Sequence, residues 1–260
     1  MKIEVLVTTM DANDFSLYEK MNIQTDAVIA NQSGKLDYAE EIIDSNKIKL
    51  ITTNTKGLSR NRNIGIAYCT GDIILFCDDD VKLVDNYQQI IIDEFNKYKN
   101  IDAVKFYCKS DNIDRPLSFK NPKFFKKAKI NNILSAGVVA FAIRREILVK
   151  YNFRFHEDLG AGTTHGSGED SLFLKQLLDS RIKIYLSPIF LANVKQEESS
   201  WFNGYDKLFF VNTGYIYKIL YGNMALFAVF RRAIKMKKNK KCNLSFLKMI
   251  EYMIIGLKNY

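Results

Sequence analysis

Three consecutive carboxylates, Asp78, Asp79 and Asp80, follow directly on the apolar run Ile73-Ile74-Leu75-Phe76-Cys77. At a strand end such a run repels itself and destabilises a fold unless a cation or several donors compensate it. Oxygen-rich sites of this kind suit Mg²⁺ or Mn²⁺, which take one or two protein carboxylates and fill the remaining positions with water and substrate phosphates. A solvated acidic turn, with one Asp capping a helix, is the plainer alternative. Upstream stands Gly57-Leu58-Ser59-Arg60-Asn61-Arg62-Asn63-Ile64-Gly65. On a helix Ser59, Arg62 and Asn63 share one face and collect a hydroxyl, a guanidinium and an amide, while Gly57 stands where helix-start N–H groups can meet an anion. An ordinary polar helix face has the same pattern. A third group, Glu169-Asp170, comes after a stretch holding Gly160, Gly162, Gly166 and Gly168 and opens a helix, where the positive end of the dipole favours ionised carboxylates. Acids at that position also commonly do nothing but cap.

These groups need a scaffold. Residues 3–8, 27–30, 48–52, 73–77 and 103–107 read as strands, and 36–44, 57–69 and 84–98 as helices. Continuous β-branched runs separated by helices imply an α/β fold with a largely parallel sheet covered on both faces. In open sheets of this type ligands sit beyond the carboxyl ends of the strands, which is where the acidic run lies. A polar segment, 109–132, with Pro116 and Pro122, precedes a second apolar run at 137–143. Residues 153–168 read as a mobile glycine-rich loop, 169–180 as a helix and the last sixty residues as largely helical.

Gly57-x-Ser59-x-x-Arg62-Asn63-x-Gly65, then Thr70-Gly71-Asp72-Ile73-Ile74-Leu75-Phe76 and Asp78-x-Asp80, resembles the family 2 glycosyltransferases of the GT-A fold over most of residues 3–190. The resemblance implies a Rossmann-like, mostly parallel sheet flanked by helices. It divides the chain into a catalytic unit at 1–200, with a nucleotide-sugar half at 1–107 and an acceptor half at 108–200, and a helical C-terminal extension at 201–260. It assigns Asp80 and Asp78 to Mn²⁺ or Mg²⁺, with Asp78 nearer the ribose and Asp79 between them. Thr8, Thr9, Met10, Asn31, Ser59, Arg62, Asn63, Asp78 and Asp79 are the expected donor contacts. In the family's inverting members Glu-Asp stands where Glu169-Asp170 stands here, which makes Asp170 the base that deprotonates the acceptor hydroxyl and sets Glu169 beside the acceptor. Trp201 is an acceptor-stacking candidate, although a buried anchor beneath the loop is an equal reading. Two departures concern the base of the nucleotide: the family's Pro-Thr-Tyr-Asn after the first strand is absent, and Asn31 replaces a common Asp. Where the family often has a His beyond Glu-Asp, the chain reads Val194-Lys195-Gln196, and Gln196 is a poor metal ligand. The Gln-x-x-Arg-Trp signature of processive synthases is missing, so the expectation is addition of a single sugar, from a UDP-linked donor, to a glycan or lipid-linked oligosaccharide acceptor of surface polysaccharide synthesis.

Composition bounds the rest. With 260 residues and 47% hydrophobic content the chain can bury one substantial core. Cys69, Cys77, Cys108 and Cys242 are scattered without a Cys-x-x-Cys pair, as isolated thiols of a reducing compartment are. Met1-Lys2-Ile3-Glu4-Val5 goes directly into a strand pattern unlike a signal peptide, so a cytoplasmic location is expected. The net charge of +9 calls for an anionic partner, and much of the excess sits in Arg231, Arg232, Lys235, Lys237, Lys238, Lys240 and Lys241. Residues 224–241 therefore suit a helix lying on an anionic membrane, on the inner face of the cell membrane, or one packed on the catalytic unit with a solvated basic face. Nucleic acid is not expected, since phosphate-backbone binding spreads charge along a groove. A sugar-phosphate nucleotidyltransferase would need a glycine-rich basic loop near residue 10. An inactive adaptor would have no use for Asp78, Asp80 and Asp170 together.

Overall fold

The computed structural model describes residues 1–98, 100–112, 117, 119–196 and 204–259. Its elements run β1 (Ile3–Met10), α1 (Leu17–Lys20), β2 (Asp26–Gln32), β3 (Asp37–Ile43), β4 (Asn46–Thr53), α2 (Leu58–Tyr68), β5 (Ile73–Asp78), β6 (Val81–Leu83), α3 (Tyr87–Asn96), β7 (Ala103–Ser110), β8 (Lys126–Lys127), α4 (Ile130–Ile133), β9 (Phe141–Arg144), α5 (Arg145–Tyr151), α6 (Glu169–Asp179) and β10 (Ile184–Val194). Three helices close the chain: α7 (Lys207–Tyr221), α8 (Ala225–Lys237) and α9 (Phe246–Lys258).

Every β1 residue but the last is buried, as expected of a strand apolar on both sides. The sheet has the order β3-β4-β2-β1-β5-β9-β7-β10-β6, with β8 added against β10. The strands β4, β2, β1 and β5 run parallel, as do β7 and β10. The short β9 is inserted antiparallel between β5 and β7. This is the GT-A-like arrangement of a mostly parallel core flanked by helices. Apolar clusters fill both faces, one beneath α1 and α3 and the other beneath α2, α5 and α6.

Three expectations change. Residues 36–44 form the strand β3 rather than a helix, antiparallel to β4 with Ile43 opposite Asn46. Asp44 and Ser45, with φ of 49° and 67°, turn the chain in two residues, as a hairpin of this hand requires. Glu40 then pairs with Lys47 at 2.6 Å, a cross-strand contact that mimics helical charge spacing in the sequence. Of the apolar run 137–143, only its end enters β9; Ala140 has a φ of 52°, and the residues before it form a turn over the site. The third change is an added strand, β10, whose pairing with β7 shifts register between Leu186 and Phe190, on either side of Pro188.

Two residues explain how α2 and β5 are placed. A Cβ on Gly65 would lie 2.2 Å from Leu6 Cδ1, so only glycine lets α2 press onto β1 this closely. The acid within the first strand, Glu4, is fully buried and accepts the N–H groups of Thr70 and Gly71 at 2.5 and 2.6 Å, fixing the turn that launches β5.

The last three helices have a core of their own, in which Phe210, Val229, Ala233, Met236 and Met253 meet. Among the described residues no helix is long and apolar enough to cross a membrane.

Candidate active site

Parallel strands end together at one edge of the sheet, so Thr8, Thr9 and Met10 of β1 stand beside Asp78 of β5 and Gln32 of β2. Thr8 Oγ1 donates to Asp78 Oδ1 at 2.9 Å, and Thr9 Oγ1 to Asp79 Oδ2 at 2.5 Å. A cavity of about 600 Å³ opens over this edge, within the range for small-molecule sites. Thr8, Thr9, Met10, Asp78 and Asp79 line it, together with Lys56 and Gly162. A second hollow, about 340 Å³, is lined by Arg62, Asp78, Glu169, Asp170 and Gln196. Asp78 borders both.

Arg62 joins the two halves. Its side chain is buried; one nitrogen donates to Asp78 Oδ1 at 2.9 Å and another to Asp170 Oδ1 at 2.6 Å, with Glu169 at 3.7 Å. Burial works against this charge, but the carboxylates of Asp170, Asp78 and Glu169 outweigh it and push the guanidinium pKa above its ordinary value. The other Asp170 oxygen, Oδ2, accepts Val138 N–H at 3.1 Å from the turn before β9. Buried Lys105 of β7 steadies that turn by donating to the Val139 carbonyl. Burial pushes the Glu169 carboxyl up to about 7, the Asp170 charge adding to the effect and Arg62 opposing it.

Asp80 borders neither hollow; it turns toward the end of β10, where its Oδ2 is 3.4 Å from Gln196 N and its carbonyl accepts Lys195 N–H at 3.0 Å. Burial, and next the Asp78 charge, raise it to about 6. A carboxylate so short of positive partners fits a divalent cation. Among the described residues no group of three His, Cys, Asp or Glu side chains is placed to hold a metal ion by itself. Mg²⁺ or Mn²⁺ would need only one or two such carboxylates and would take its remaining oxygens from water and phosphate.

Other expected donor contacts have different work. Ser59 Oγ donates to the Leu159 carbonyl at 2.7 Å, and Asn63 exchanges two hydrogen bonds with the Phe155 backbone, at 2.9 and 2.8 Å. Both side chains line neither cavity; they clamp the loop that leads to Asp170. The face they share with Arg62 points at protein, because a helix lying on the sheet must satisfy the polar groups it buries. Two N–H groups at the start of α2 are likewise taken, Gly57 by Gln32 Oε1 at 2.6 Å and Leu58 by the Ala161 carbonyl at 2.9 Å. Asn31 is fully buried and bonded to both backbone groups of Ala12, so it shapes the chain after β1 instead of facing a ligand. Trp201 lies outside the described residues.

Asn61 and Lys56 stand at the site although neither is among the expected contacts. Asn61 lines the larger cavity, donates to the Thr9 and Ala30 carbonyls at 3.2 and 2.7 Å, and keeps a buried Oδ1 without a partner. Lys56 brings a cation to the same wall. Its place after the carboxyl end of β4 was the available signal.

The loop before Asp170 is anchored from outside. His165 stacks on Tyr215 of α7 at 3.7 Å between ring centres and its Nδ1 lies 3.0 Å from Asn212 Oδ1. Gly168, at a φ of 101°, sits on Ile216, where a Cβ would approach to 2.8 Å.

Comparison with solved structures finds the same fold in S. aureus TarS. The fragment 1-349 matches with a TM-score of 0.59 at 14% identity, covering 99% of this chain and 71% of that one. The same fragment in complex with UDP-GlcNAc matches with a TM-score of 0.61 at 14% identity, covering 99% and 72%. Whole TarS matches at 0.59 and 14%, covering 99% of this chain and 43% of that one. None of the curated proteins compared with the chain matches it in sequence. The model of glycosyl transferase family 2 matches residues 16–151, more than half the chain, and takes in β2 to β9, α2 and the acidic run. The chain belongs to glycosyl transferase family 2.

Proposed function

We propose that the protein is a metal-dependent, inverting glycosyltransferase that moves one sugar from a UDP-linked donor to a hydroxyl of a glycan acceptor, carried on lipid, in surface polysaccharide synthesis. The observation that carries this reading is the Arg62 bridge, which holds Asp78 at the mouth of the larger cavity and Asp170 in the adjoining hollow. A nucleotide is assigned to the larger cavity, because TarS in the same fold is known with UDP-GlcNAc. The acceptor is assigned to the hollow beside Glu169 and Asp170.

In this arrangement Asp170 is the general base. Its two oxygens are oriented by Arg62 and Val138 N–H, so the carboxylate is fixed before an acceptor arrives and can take the proton of the attacking hydroxyl. Attack from the hollow opposite the leaving group inverts the anomeric carbon. Glu169, raised to about 7, can stay protonated near neutrality and donate a hydrogen bond to the acceptor sugar. Asp80 and Asp78 would hold the cation, which when bound neutralises the charge of the departing diphosphate. Lys56 adds positive charge to the cavity wall that the phosphates would meet. The loop clamped by Ser59 and Asn63 covers the junction and excludes water that would hydrolyse the donor.

The test is nucleoside diphosphate release from a panel of nucleotide sugars, UDP-GlcNAc first, with Mn²⁺ or Mg²⁺ and glycan or lipid extracts as acceptors, and the anomeric configuration of the product read by NMR. Asp170→Asn should lower kcat by ~10²–10⁴-fold while UDP affinity stays unchanged. Retained turnover in that variant, or a product of retained configuration, would count against Asp170 as base and against inversion.

A further inference from the structure

Helix α8 carries two apolar faces. Val229, Ala233 and Met236 of one face enter the core that α8 shares with α7 and α9, and Ala225 is buried beside them. On the side turned away from that core, Leu226, Phe227, Phe230 and Ile234 are 49%, 66%, 43% and 57% exposed. Steps of three and four residues bring these four into one stripe. At 100° per residue, Arg231, Lys235 and Lys238 border the stripe on one flank, Lys237 continues the stripe at its C-terminal end, and all four are exposed. Arg232 differs, turning inward over the Phe209 ring at 5.8 Å. No Asp or Glu occurs between Lys207 and Ile250, so nothing acidic along that stretch offsets the charge.

We propose that this outer face of α8 is a docking surface for an anionic lipid bilayer, with the helix lying in the interfacial plane. An exposed apolar stripe bordered along one flank and at its C-terminal end by lysine and arginine matches acyl chains beside anionic headgroups. Thirteen residues are too few to span a bilayer, so the contact is peripheral. A second copy of the chain fits the surface poorly, because a two-fold contact would bring the basic residues of both copies together with no acidic residue on the helix to offset them. The consequence reaches the active site through α7, which packs against both α8 and α9 and whose Ile216 and Tyr215 hold the loop before Asp170.

The proposal rests on the helix and not on the transfer reading, and flotation, which reads binding without turnover, keeps their failures apart. The whole chain is floated with phosphatidylcholine vesicles and with an equal mixture of phosphatidylcholine and phosphatidylglycerol. The expected result is recovery with the mixed vesicles only, falling as salt is raised. Phe227→Ser with Phe230→Ser, and separately Lys235→Glu with Lys238→Glu, should each weaken binding by ~10-fold or more. These side chains are exposed, and unchanged circular dichroism and Tm verify the folds. Equal flotation of the variants, equal recovery with neutral vesicles, or no recovery at all would overturn the proposal. So would concentration-dependent self-association of the wild type that these variants abolish, which would assign the face to a second copy.

Discussion

The Arg62 guanidinium meets the Asp170 carboxylate at 2.6 Å across 108 positions of sequence, and the same buried side chain also faces Asp78 and Glu169. One cation thus serves three acids drawn from two separate segments.

Arg62→Met leaves those acids facing one another without compensation. Arg62 is buried but Asp78 and Asp170 are 33% and 24% exposed, so solvent screening reduces the cost to ~1–3 kcal/mol, and the loss of orientation at Asp170 should lower kcat by ~10²-fold or more. Thermal melting and steady-state transfer measure the two effects. Arg62→Lys should recover more of the stability than of the rate, since an ammonium cannot span Asp78 and Asp170 as the planar fork does. A folded Met variant with wild-type kcat would show the bridge to be dispensable.

Asn63 separates a clamp from a ligand contact. Asn63→Ala strands the buried N–H and carbonyl of Phe155, at a cost of ~2–3 kcal/mol. Donor KM should stay within ~2-fold of wild type at temperatures where the variant is folded. A large rise in donor KM with unchanged Tm would return Asn63 to the donor site.

Asp80 makes stability depend on pH and metal. Its folded pKa of about 6 exceeds the ordinary 3.8, so the folded protein binds this proton more tightly than the unfolded chain. The metal-free protein therefore loses stability as pH rises from about 4 to about 6, and stays less stable above that range. Asp80→Asn removes the penalty. Without metal it should be more stable than wild type at neutral pH, by roughly 1–2 kcal/mol after allowing for solvent screening, and equal to it below about pH 4. Mn²⁺ should raise the wild-type Tm at neutral pH and leave the variant unchanged. An identical response of both proteins to Mn²⁺ would remove Asp80 from the metal site.

Lys56 is exposed on the cavity wall and should act on donor capture. Lys56→Ala is expected to raise donor KM by ~5-fold, with kcat within ~2-fold and the effect shrinking at high salt. Steady-state kinetics at two ionic strengths decide it, and an unchanged KM would place Lys56 outside the phosphate path.

Local chemistry made much of this legible beforehand. The runs that became β1, β2, β4, β5 and β7 are mostly apolar because both their faces are buried, with Glu4, Lys49 and Lys105 the charged exceptions, and the self-repelling triplet at 78–80 needs no tertiary knowledge to be seen as a charge problem. The pattern at 57–65 gave the helix α2, and Glu169-Asp170 the start of α6. What each polar residue on α2 faces was not in the pattern. Periodicity groups Ser59, Arg62 and Asn63 on one side, but only the folded chain shows that Ser59 and Asn63 spend their hydrogen bonds on residues 155–159 while Arg62 alone reaches the carboxylates. The same limit applies to 36–44, where Glu40 and Lys47, seven positions apart, could share a helix face as readily as pair across a hairpin until Asp44 and Ser45 adopt positive φ. On α8 the sequence placed apolar and basic residues on one helix; tertiary packing sent Val229 inward and left Phe227 and Phe230 outside. Short-range pattern fixes which groups an element carries. Which of them meet is decided by packing between segments a hundred residues apart, and no local spacing encodes that.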